Sequence, residues 1–188
     1  MKALILDGTI DNDKENETLK EAWVEGLEEQ GYQVNWVILK QEEIQSCIGC
    51  FNCWTKTPGL CIYDDKGSDL AEEIINSQLV IGVSPVIFGG YSPEMKKMLD
   101  RIIPLLMPFF VKKKGEVHHS PRYDGYPPVW MVGISKKKKD EGEHLFEALA
   151  KRNELNWHNL FEGHIWRPET ENARDFVDRS MKFLEARR

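Results

Sequence analysis

Short apolar runs alternate with amphipathic helical patterns along the chain, and this alternation constrains the fold more than any other feature. Five runs have the composition of buried strands, and they cover residues 2–6, 33–39, 78–84, 128–134 and 160–166. Segments with helical spacing follow them, at about 19–30, 69–77, 92–102, 140–153 and 170–184. Strands that alternate with helices pair in parallel through right-handed crossovers. The pattern therefore predicts one sheet with helices on both faces.

Capping residues predict where several of these helices begin and end. Asp69 opens a capping box, Ser92 precedes a proline in the first helical turn, and Thr170 is expected to cap the last helix. Pro104 and Pro108 are expected to end or kink the helix that starts at Ser92. The polar residues 112–127 are then predicted to form a loop.

Size and composition predict a single globular domain and exclude some partners. The chain has 188 residues, and its net charge of −6 would repel a phosphate backbone, so no nucleic acid partner is expected. The longest apolar stretch, 102–111, is too short to cross a bilayer, so no membrane partner is expected either. The first residues reach Asp7 too early for a signal peptide. We therefore expect a cytoplasmic protein with reduced thiols.

The order of elements matches one known architecture and predicts where its ligands bind. Five parallel strands covered on both faces fit a flavodoxin-like three-layer α/β sandwich with strand order 2-1-3-4-5. We expect this single domain to span 1–188, with a cysteine-containing loop insertion at about 40–67. In such a sheet, ligands bind at the carboxyl ends of the strands, where the strand order reverses. The loops that follow the first and third strands flank that point.

The loop after the third strand has the composition of a cradle for a flat ring. Pro85 ends the strand, the apolar residues 86–88 can lie along a planar heteroaromatic cofactor, and Gly89 and Gly90 allow close backbone approach. The alternative interpretation is a hydrophobic turn followed by a well-capped helix. The loop after the first strand offers hydroxyl and amide donors for a phosphate, next to a helix N-terminus, at Thr9, Asn16 and Thr18.

All four cysteines fall in one segment with the spacing C-x2-C-x2-C-x7-C. Compact runs of this kind hold iron–sulfur clusters, because one loop can wrap several thiolates around a centre. Four thiolates equally suit tetrahedral zinc. A disulfide or a set of reduced cysteines that only pack are the remaining interpretations. The residues concerned are Cys47, Cys50, Cys53 and Cys61.

Two segments resemble a known family. Residues 84–101, which end in Met98-Leu99-Asp100-Arg101, resemble the flavin-ring segment of the flavodoxin-like NAD(P)H-dependent FMN reductases. The cysteine run and the following Asp64-Asp65 are similar to the iron–sulfur flavoprotein branch of that superfamily. The resemblance implies that the flavin ring would contact Pro85, Val86, Ile87, Phe88, Gly89 and Gly90, bordered by Gly133 and Ser135.

The same resemblance implies an activity and its partners. The expected function is that of an FMN-dependent NAD(P)H oxidoreductase of the flavin or quinone reductase type. NAD(P)H would be the electron donor, and a small molecule or a redox protein would be the acceptor. A [4Fe–4S] cluster on the four cysteines would relay electrons. A homodimer or homotetramer is expected, because members of this family commonly assemble in this way.

The first loop departs from the pattern of the family. Relatives carry Gly-Ser-x-Arg there, whereas this chain has Gly8-Thr9-Ile10-Asp11 and no arginine. Four acidic residues occupy the loop and the helix start, at Asp11, Asp13, Glu15 and Glu17. Because these charges would oppose a phosphate if they faced it, a second hypothesis follows. The chain would then be a flavodoxin-like redox- or metal-binding module that has lost FMN.

Overall fold

The computed structural model describes residues 1–11, 14–136 and 141–187. Its central sheet is parallel and five-stranded, with the order β2-β1-β3-β6-β7. These strands are β1 (Lys2–Asp7), β2 (Gln33–Ile38), β3 (Leu79–Pro85), β6 (Val129–Ile134) and β7 (Phe161–Trp166). The flavodoxin-like order predicted as 2-1-3-4-5 is confirmed, because β6 and β7 are the fourth and fifth strands of this sheet.

Helices cover both faces of the sheet and enclose two apolar cores. One face packs α1 (Lys14–Glu29) and α6 (Ala173–Glu185) around Trp23 and Phe176, both wholly buried. The other face packs α3 (Lys66–Asn76), α4 (Pro93–Arg101) and α5 (Gly142–Trp157) around Met98 and Phe146. Both cores exist because the strands are apolar on both faces, as parallel sheets require. No helix in the described part of the chain is long and apolar enough to span a membrane.

An antiparallel hairpin replaces the loop predicted at 112–127. It pairs β4 (Leu106–Lys113) with β5 (Glu116–Pro121) outside the main sheet. Lys114 and Gly115 form its two-residue turn, and both have positive φ, as a type I′ turn requires. Pro104 does follow the end of α4, but Pro108 lies within β4, where the register shifts, and a bulge tolerates a residue without an N–H.

Several predicted helix ends are wrong. Asp65, not Asp69, caps α3, and its carboxylate accepts a hydrogen bond from the backbone N–H of Ser68. Asn172, not Thr170, caps α6. In each case the observed cap is the residue whose side-chain oxygen accepts a hydrogen bond from a free N–H of the first helical turn. The fourth long helix, α5, extends to Trp157, and Asp140, its predicted start, lies outside the described residues.

The segment between β2 and α3 contains the cysteines and little regular structure. A short 3-10 turn (Leu39–Gln41) follows β2, and the four-residue helix α2 (Asn52–Thr55) follows the first two cysteines. The sequence prediction of a loop insertion at about 40–67 in one domain stays a prediction.

Candidate functional site

Three loops meet at the carboxyl edge of the sheet and enclose a cavity of about 270 Å³. They follow β1, β3 and β6, the strands around the point where the strand order reverses. We call this space the edge cavity. Its lining is apolar on one side and polar on the other, and consists of Thr9, Ile10, Asp11, Asn16, Pro85, Val86, Ile87, Ile134, Ser135 and Lys136.

Six of the eleven residues that the sequence analysis assigned to a cofactor line the edge cavity, and five do not. Thr18 lies one turn inside α1, where its hydroxyl donates to the carbonyl oxygen of Lys14 at 2.9 Å. Gly133 lies in β6, and a Cβ there would come within 3.0 Å of Ile165 and Phe146. Its lack of a side chain lets α5 pack closely on the sheet. Neither residue is therefore brought to the cavity.

The other three residues form a tight turn beside the cavity. The backbone N–H of Gly90 donates to Ile87 O at 2.8 Å, and the N–H of Ile87 donates to Gly90 O at 3.1 Å. Phe88 and Gly89 between them have φ of 49° and 80°. Positive φ at both central positions is the pattern of a type I′ turn. The side chain of Phe88 is completely exposed to solvent, so this turn projects an aromatic ring away from the protein.

Hydrogen bonds fix the two loops that flank the edge cavity. After β1, the N–H of Thr9 donates to the carboxylate of Asp7 at 2.8 Å, and the N–H of Gly8 donates to Val83 O at 2.8 Å. After β3, the Ser84 hydroxyl accepts from the N–H of Ser92 at 2.8 Å. Ser92 in turn caps α4, as the sequence predicted. The cavity wall is therefore set by backbone geometry and small polar side chains.

The polar side of the edge cavity carries charges of both signs. Asp11 and Lys136 both line it, and the Lys136 ammonium lies 3.9 Å from the carboxylate of Glu15. The amide of Asn16 donates to Asp11 O at 2.7 Å, which fixes the loop against the start of α1. Asp13, another of the predicted acidic residues, lies outside the described residues. Thus one acidic residue, Asp11, and one basic residue, Lys136, line the cavity.

A second cavity, of about 280 Å³, brings together all four cysteines. We call it the cysteine cavity. The thiols are free; Cys47 and Cys50 are exposed, Cys61 is half-buried, and Cys53 is buried. Burial raises the pKa of the Cys53 thiol, and the other three cysteines raise it further. Among the described residues, no three Cys, His, Asp or Glu side chains lie close enough to hold a single metal ion.

Arg101 forms part of the wall of the cysteine cavity, and its side chain is wholly buried. Its two terminal nitrogens donate to the two carboxylate oxygens of Asp65 at 2.7 and 2.8 Å. The same nitrogens donate to Gln45 O at 2.7 Å and to the Ser68 hydroxyl at 3.2 Å. The hydrogen bond to Asp65 raises the pKa of Arg101, and the same pair lowers the pKa of Asp65 to about 2.

Arg101 lies in the segment that resembles the flavin-ring segment of the family, and no role was predicted for it. A signal was present, because Arg101 follows Met95 and Met98 at a spacing of three, on the face of α4 that the structure buries. A charged residue at a core-facing position of a helix is rarely buried without a partner. That position therefore predicts an ion pair inside the protein, although the sequence does not indicate the partner.

A third cavity, of about 520 Å³, lies between α4, α5 and the hairpin. It shares Asp100 and Ile103 with the cysteine cavity. Most of its lining is apolar, and Asn153 donates to the Tyr91 hydroxyl at 3.0 Å on one wall. Burial raises the pKa of the Tyr91 phenol well above its ordinary value. Gly90, which the resemblance to the family implies as a contact of the flavin ring, lines this cavity and not the edge cavity.

Comparison with known proteins gives relatives that are similar to part of the chain. An iron-sulfur flavoprotein from Methanocaldococcus jannaschii is 28% identical over 114 residues, which are 61% of this chain and 58% of the relative. An iron-sulfur flavoprotein from Methanosarcina thermophila is 26% identical over 113 residues, which are 60% and 58% of the two chains. The matches thus span less than two thirds of the curated relatives.

Solved structures share the fold along almost the whole chain. An NAD(P)H:quinone oxidoreductase from Methanothermobacter marburgensis superposes with a TM-score of 0.66 at 12% identity, covering 97% of this chain and 96% of that one. An FMN-dependent NADH-azoreductase from Bacillus anthracis, in complex with FMN, gives 0.64 at 13% identity, with 97% and 98% covered. At such low identity the likeness shows the shared fold.

The family model described as NADPH-dependent FMN reductase matches residues 1–120. That range contains β1, the turn after β3, the cysteine cavity and α4. The chain therefore belongs to the NADPH-dependent FMN reductase family.

Proposed function

We propose that this protein is an FMN-dependent oxidoreductase that uses NAD(P)H and delivers electrons to a small-molecule acceptor or a redox protein. The observation that carries the proposal is the edge cavity, which three loops form at the reversal point of a flavodoxin-like sheet. This is where ligands of doubly wound sheets bind. When bound, FMN would supply the redox chemistry, by accepting a hydride and releasing electrons singly or in pairs.

The residues of the edge cavity suit a flavin mononucleotide. Pro85, Val86 and Ile87 present an apolar wall to a planar ring, and Asn16, Lys136 and the N-terminus of α1 lie at the polar end, where a phosphate would fit. Ligand cavities usually measure roughly 300 to 1,000 Å³. The edge cavity is slightly smaller than this range, so part of a bound flavin would lie outside it. The chain's own contribution is binding and orientation, so no side chain is assigned as an acid, base or nucleophile.

A titration with two flavins tests the proposal. FMN should bind to the purified protein, and its fluorescence should be quenched until one equivalent per chain has been added. NADPH should then bleach the absorption of the bound flavin. Riboflavin lacks the phosphate and is the matched control ligand. Lys136→Gln should weaken FMN binding about threefold and Asp11→Asn should strengthen it by a similar factor, with riboflavin unaffected by either. A protein that ignores FMN would overturn the proposal.

Asp11 favours the second candidate function, a module that has lost FMN and binds metal or senses redox state through its cysteines. Asp11 lines the cavity where the phosphate would sit, although Lys136 lies there too. The two functions separate in the same titration. Failure of both wild type and Asp11→Asn to bind FMN, together with metal bound at the cysteines, supports the second.

We further propose that Cys47, Cys50, Cys53 and Cys61 hold a [4Fe–4S] cluster. All four thiols line one cavity. Their spacing, C-x2-C-x2-C-x7-C, is of the compact kind that holds iron–sulfur clusters. The curated relatives are themselves iron-sulfur flavoproteins, which favours a cluster over a zinc ion. Such a cluster would supply one-electron transfer.

Anaerobic reconstitution with iron and sulfide tests this thiolate centre. We expect iron and acid-labile sulfide in equal amounts, near four of each per chain. Cys50→Ser should lose them and still bind FMN, because the edge cavity is built from other loops. Zinc without iron after expression in supplemented medium, or loss of FMN together with iron in that variant, would contradict the assignment.

The proposal extends to assembly and location. The resemblance to the family suggests a homodimer or homotetramer, and an exposed apolar hairpin in this chain supports association. Four free thiols, two of them exposed, suit the reducing cytoplasm, where we expect the protein to work.

A further inference from the structure

The guanidinium of Arg101 contains a buried donor with no acceptor. Its Nε is inaccessible to solvent and has no hydrogen-bond partner in the protein. Nearly all buried polar groups are paired, so an unpaired N–H on a charged group requires an explanation. Arg101 lines the cysteine cavity together with Cys61. The donor is therefore available to an acceptor at this end of the cavity.

The other nitrogens of Arg101 are held rigidly. Four hydrogen bonds attach them to Asp65, Gln45 and Ser68, and the ring of Tyr63 lies 5.3 Å from the guanidinium carbon. Gly67 packs against the group so closely that a Cβ there would lie 3.0 Å from a terminal nitrogen. The side chain thus cannot turn to find another partner for Nε.

We propose that Arg101 is a positioning residue for the thiolate centre, which donates its Nε–H toward Cys61 or the bound group and raises the reduction potential of that centre. The inference rests on the proposed cluster. A cluster bound by four thiolates is anionic, and reduction adds another negative charge. A fixed positive charge and a hydrogen bond to sulfur stabilise the reduced form more than the oxidised form. The effect on the reduction potential is strong because the guanidinium of Arg101 is buried, away from the screening of water.

Asp65 sets the size of this effect. Its carboxylate neutralises part of the charge of Arg101, but it does not line the cavity. Removal of the Asp65 charge should therefore expose the centre to more of the positive field, and removal of the Arg101 charge should do the reverse. If the ion pair between Asp65 and Arg101 were purely structural, loss of either charge would destabilise the protein, and the midpoint potential would not shift in opposite directions.

The test measures the midpoint potential of the centre in the anaerobically reconstituted full chain, by spectroelectrochemistry. We expect Asp65→Asn to raise the potential, Arg101→Gln to lower it, and Arg101→Lys to lower it less. Asn also caps helices, so α3 should keep its start. Arg174→Gln is the matched control, because Arg174 lies on α6, pairs with Glu29 and Asp178, and does not line the cavity. That control and the flavin potential should not move.

Each outcome decides a separate point. If the wild type binds no iron, the proposed cluster fails and the inference falls with it. If iron is present, all four variants could instead keep the same midpoint potential, or Asp65→Asn and Arg101→Gln could shift that potential in the same direction. Either result would show that the proposed role of Arg101 is wrong, although the cluster would stand. Should Arg101→Gln fail to fold by circular dichroism, the opposite shifts expected for Asp65→Asn and Arg101→Lys still decide the matter.

Discussion

Gly8 shows how one residue can hold the edge cavity in shape. It lies between the end of β1 and the start of α4, and a Cβ there would come within 2.8 Å of both the Met95 Cβ and the Ser92 hydroxyl oxygen. These are backbone-near atoms that cannot swing away. Only glycine lets the first loop approach the cap of α4 this closely, and the approach brings Thr9 to the cavity.

Gly8→Ala should therefore destabilise the protein and weaken flavin binding together. Overpacking of this kind costs about 1 to 2 kcal/mol in the free energy of unfolding. Urea denaturation measures it, and FMN titration measures the binding. Gly125→Ala is the matched control, since a Cβ there meets nothing within 4 Å. Equal stability of the two variants would show that the loop adapts to the added methyl group.

The Asp65–Arg101 pair predicts a dependence of stability on pH. The pKa of Asp65 is lowered from 3.8 to about 2, chiefly by the hydrogen bond from Arg101. The unfolded chain therefore takes up a proton at a higher pH than the folded one, and the stabilisation is complete above about pH 4 and lost as pH falls through about 2. We expect wild type to lose about 2 kcal/mol over this interval that Asp65→Asn does not lose. Parallel urea denaturation curves from pH 5 to 2 would reveal the difference; identical losses would contradict it.

Two tight turns of this fold have positive φ at both central residues. Lys114-Gly115 joins the strands of the hairpin, and Phe88-Gly89 forms the turn beside the edge cavity. A bulky residue with positive φ is strained, and Phe88 gains no burial in compensation, because its side chain is fully exposed. An exposed, strained aromatic residue in a turn beside a candidate site suggests a role in contact with a ligand.

Phe88→Asn should stabilise the fold and weaken function. Asn tolerates positive φ and favours type I′ turns before Gly, so the free energy of unfolding should rise by about 0.5 to 1 kcal/mol. If the ring contacts flavin or acceptor, NADPH oxidation should fall several-fold in the same variant. Thermal denaturation and steady-state assays make the comparison. A stability gain with unchanged turnover would assign Phe88 no functional contact.

The hairpin of β4 and β5 is the feature of the whole molecule that lacks a complete packing partner. It lies outside the five-stranded sheet and exposes two-thirds of Phe109 and Phe110. Val117 on the second strand is also exposed. Several exposed apolar side chains on one hairpin favour its association with another surface. It supports the proposed homo-oligomer.

Phe109→Glu should therefore shift the protein toward a monomer. Sedimentation velocity should show a dimer or tetramer for wild type and a smaller species for the variant, because a buried charge opposes the interface. Leu145→Glu on α5, also a replacement of an exposed apolar side chain, is the control and should keep the wild-type size. A monomeric wild type would remove the proposed assembly.

The sequence by itself determined the order of elements, the five-stranded topology and the loops that carry the candidate site. It could do so because period, caps and strand composition are local properties, and because parallel strands have few ways to connect. Thr9, Pro85 and Ser135 reach one cavity for that reason. The clustering of the four cysteines follows from their spacing in the same way.

Only the tertiary structure decided which side chains face that cavity and which groups meet across it. Thr18 bonds within its own helix, Gly133 packs under α5, and Arg101 meets Asp65 from 36 residues away. Such contacts depend on how separate elements pack, and no local pattern encodes them. The hairpin at 106–121 was missed because a proline and a polar tail mask a weak strand signal. Its pairing becomes favourable only when the two strands come together.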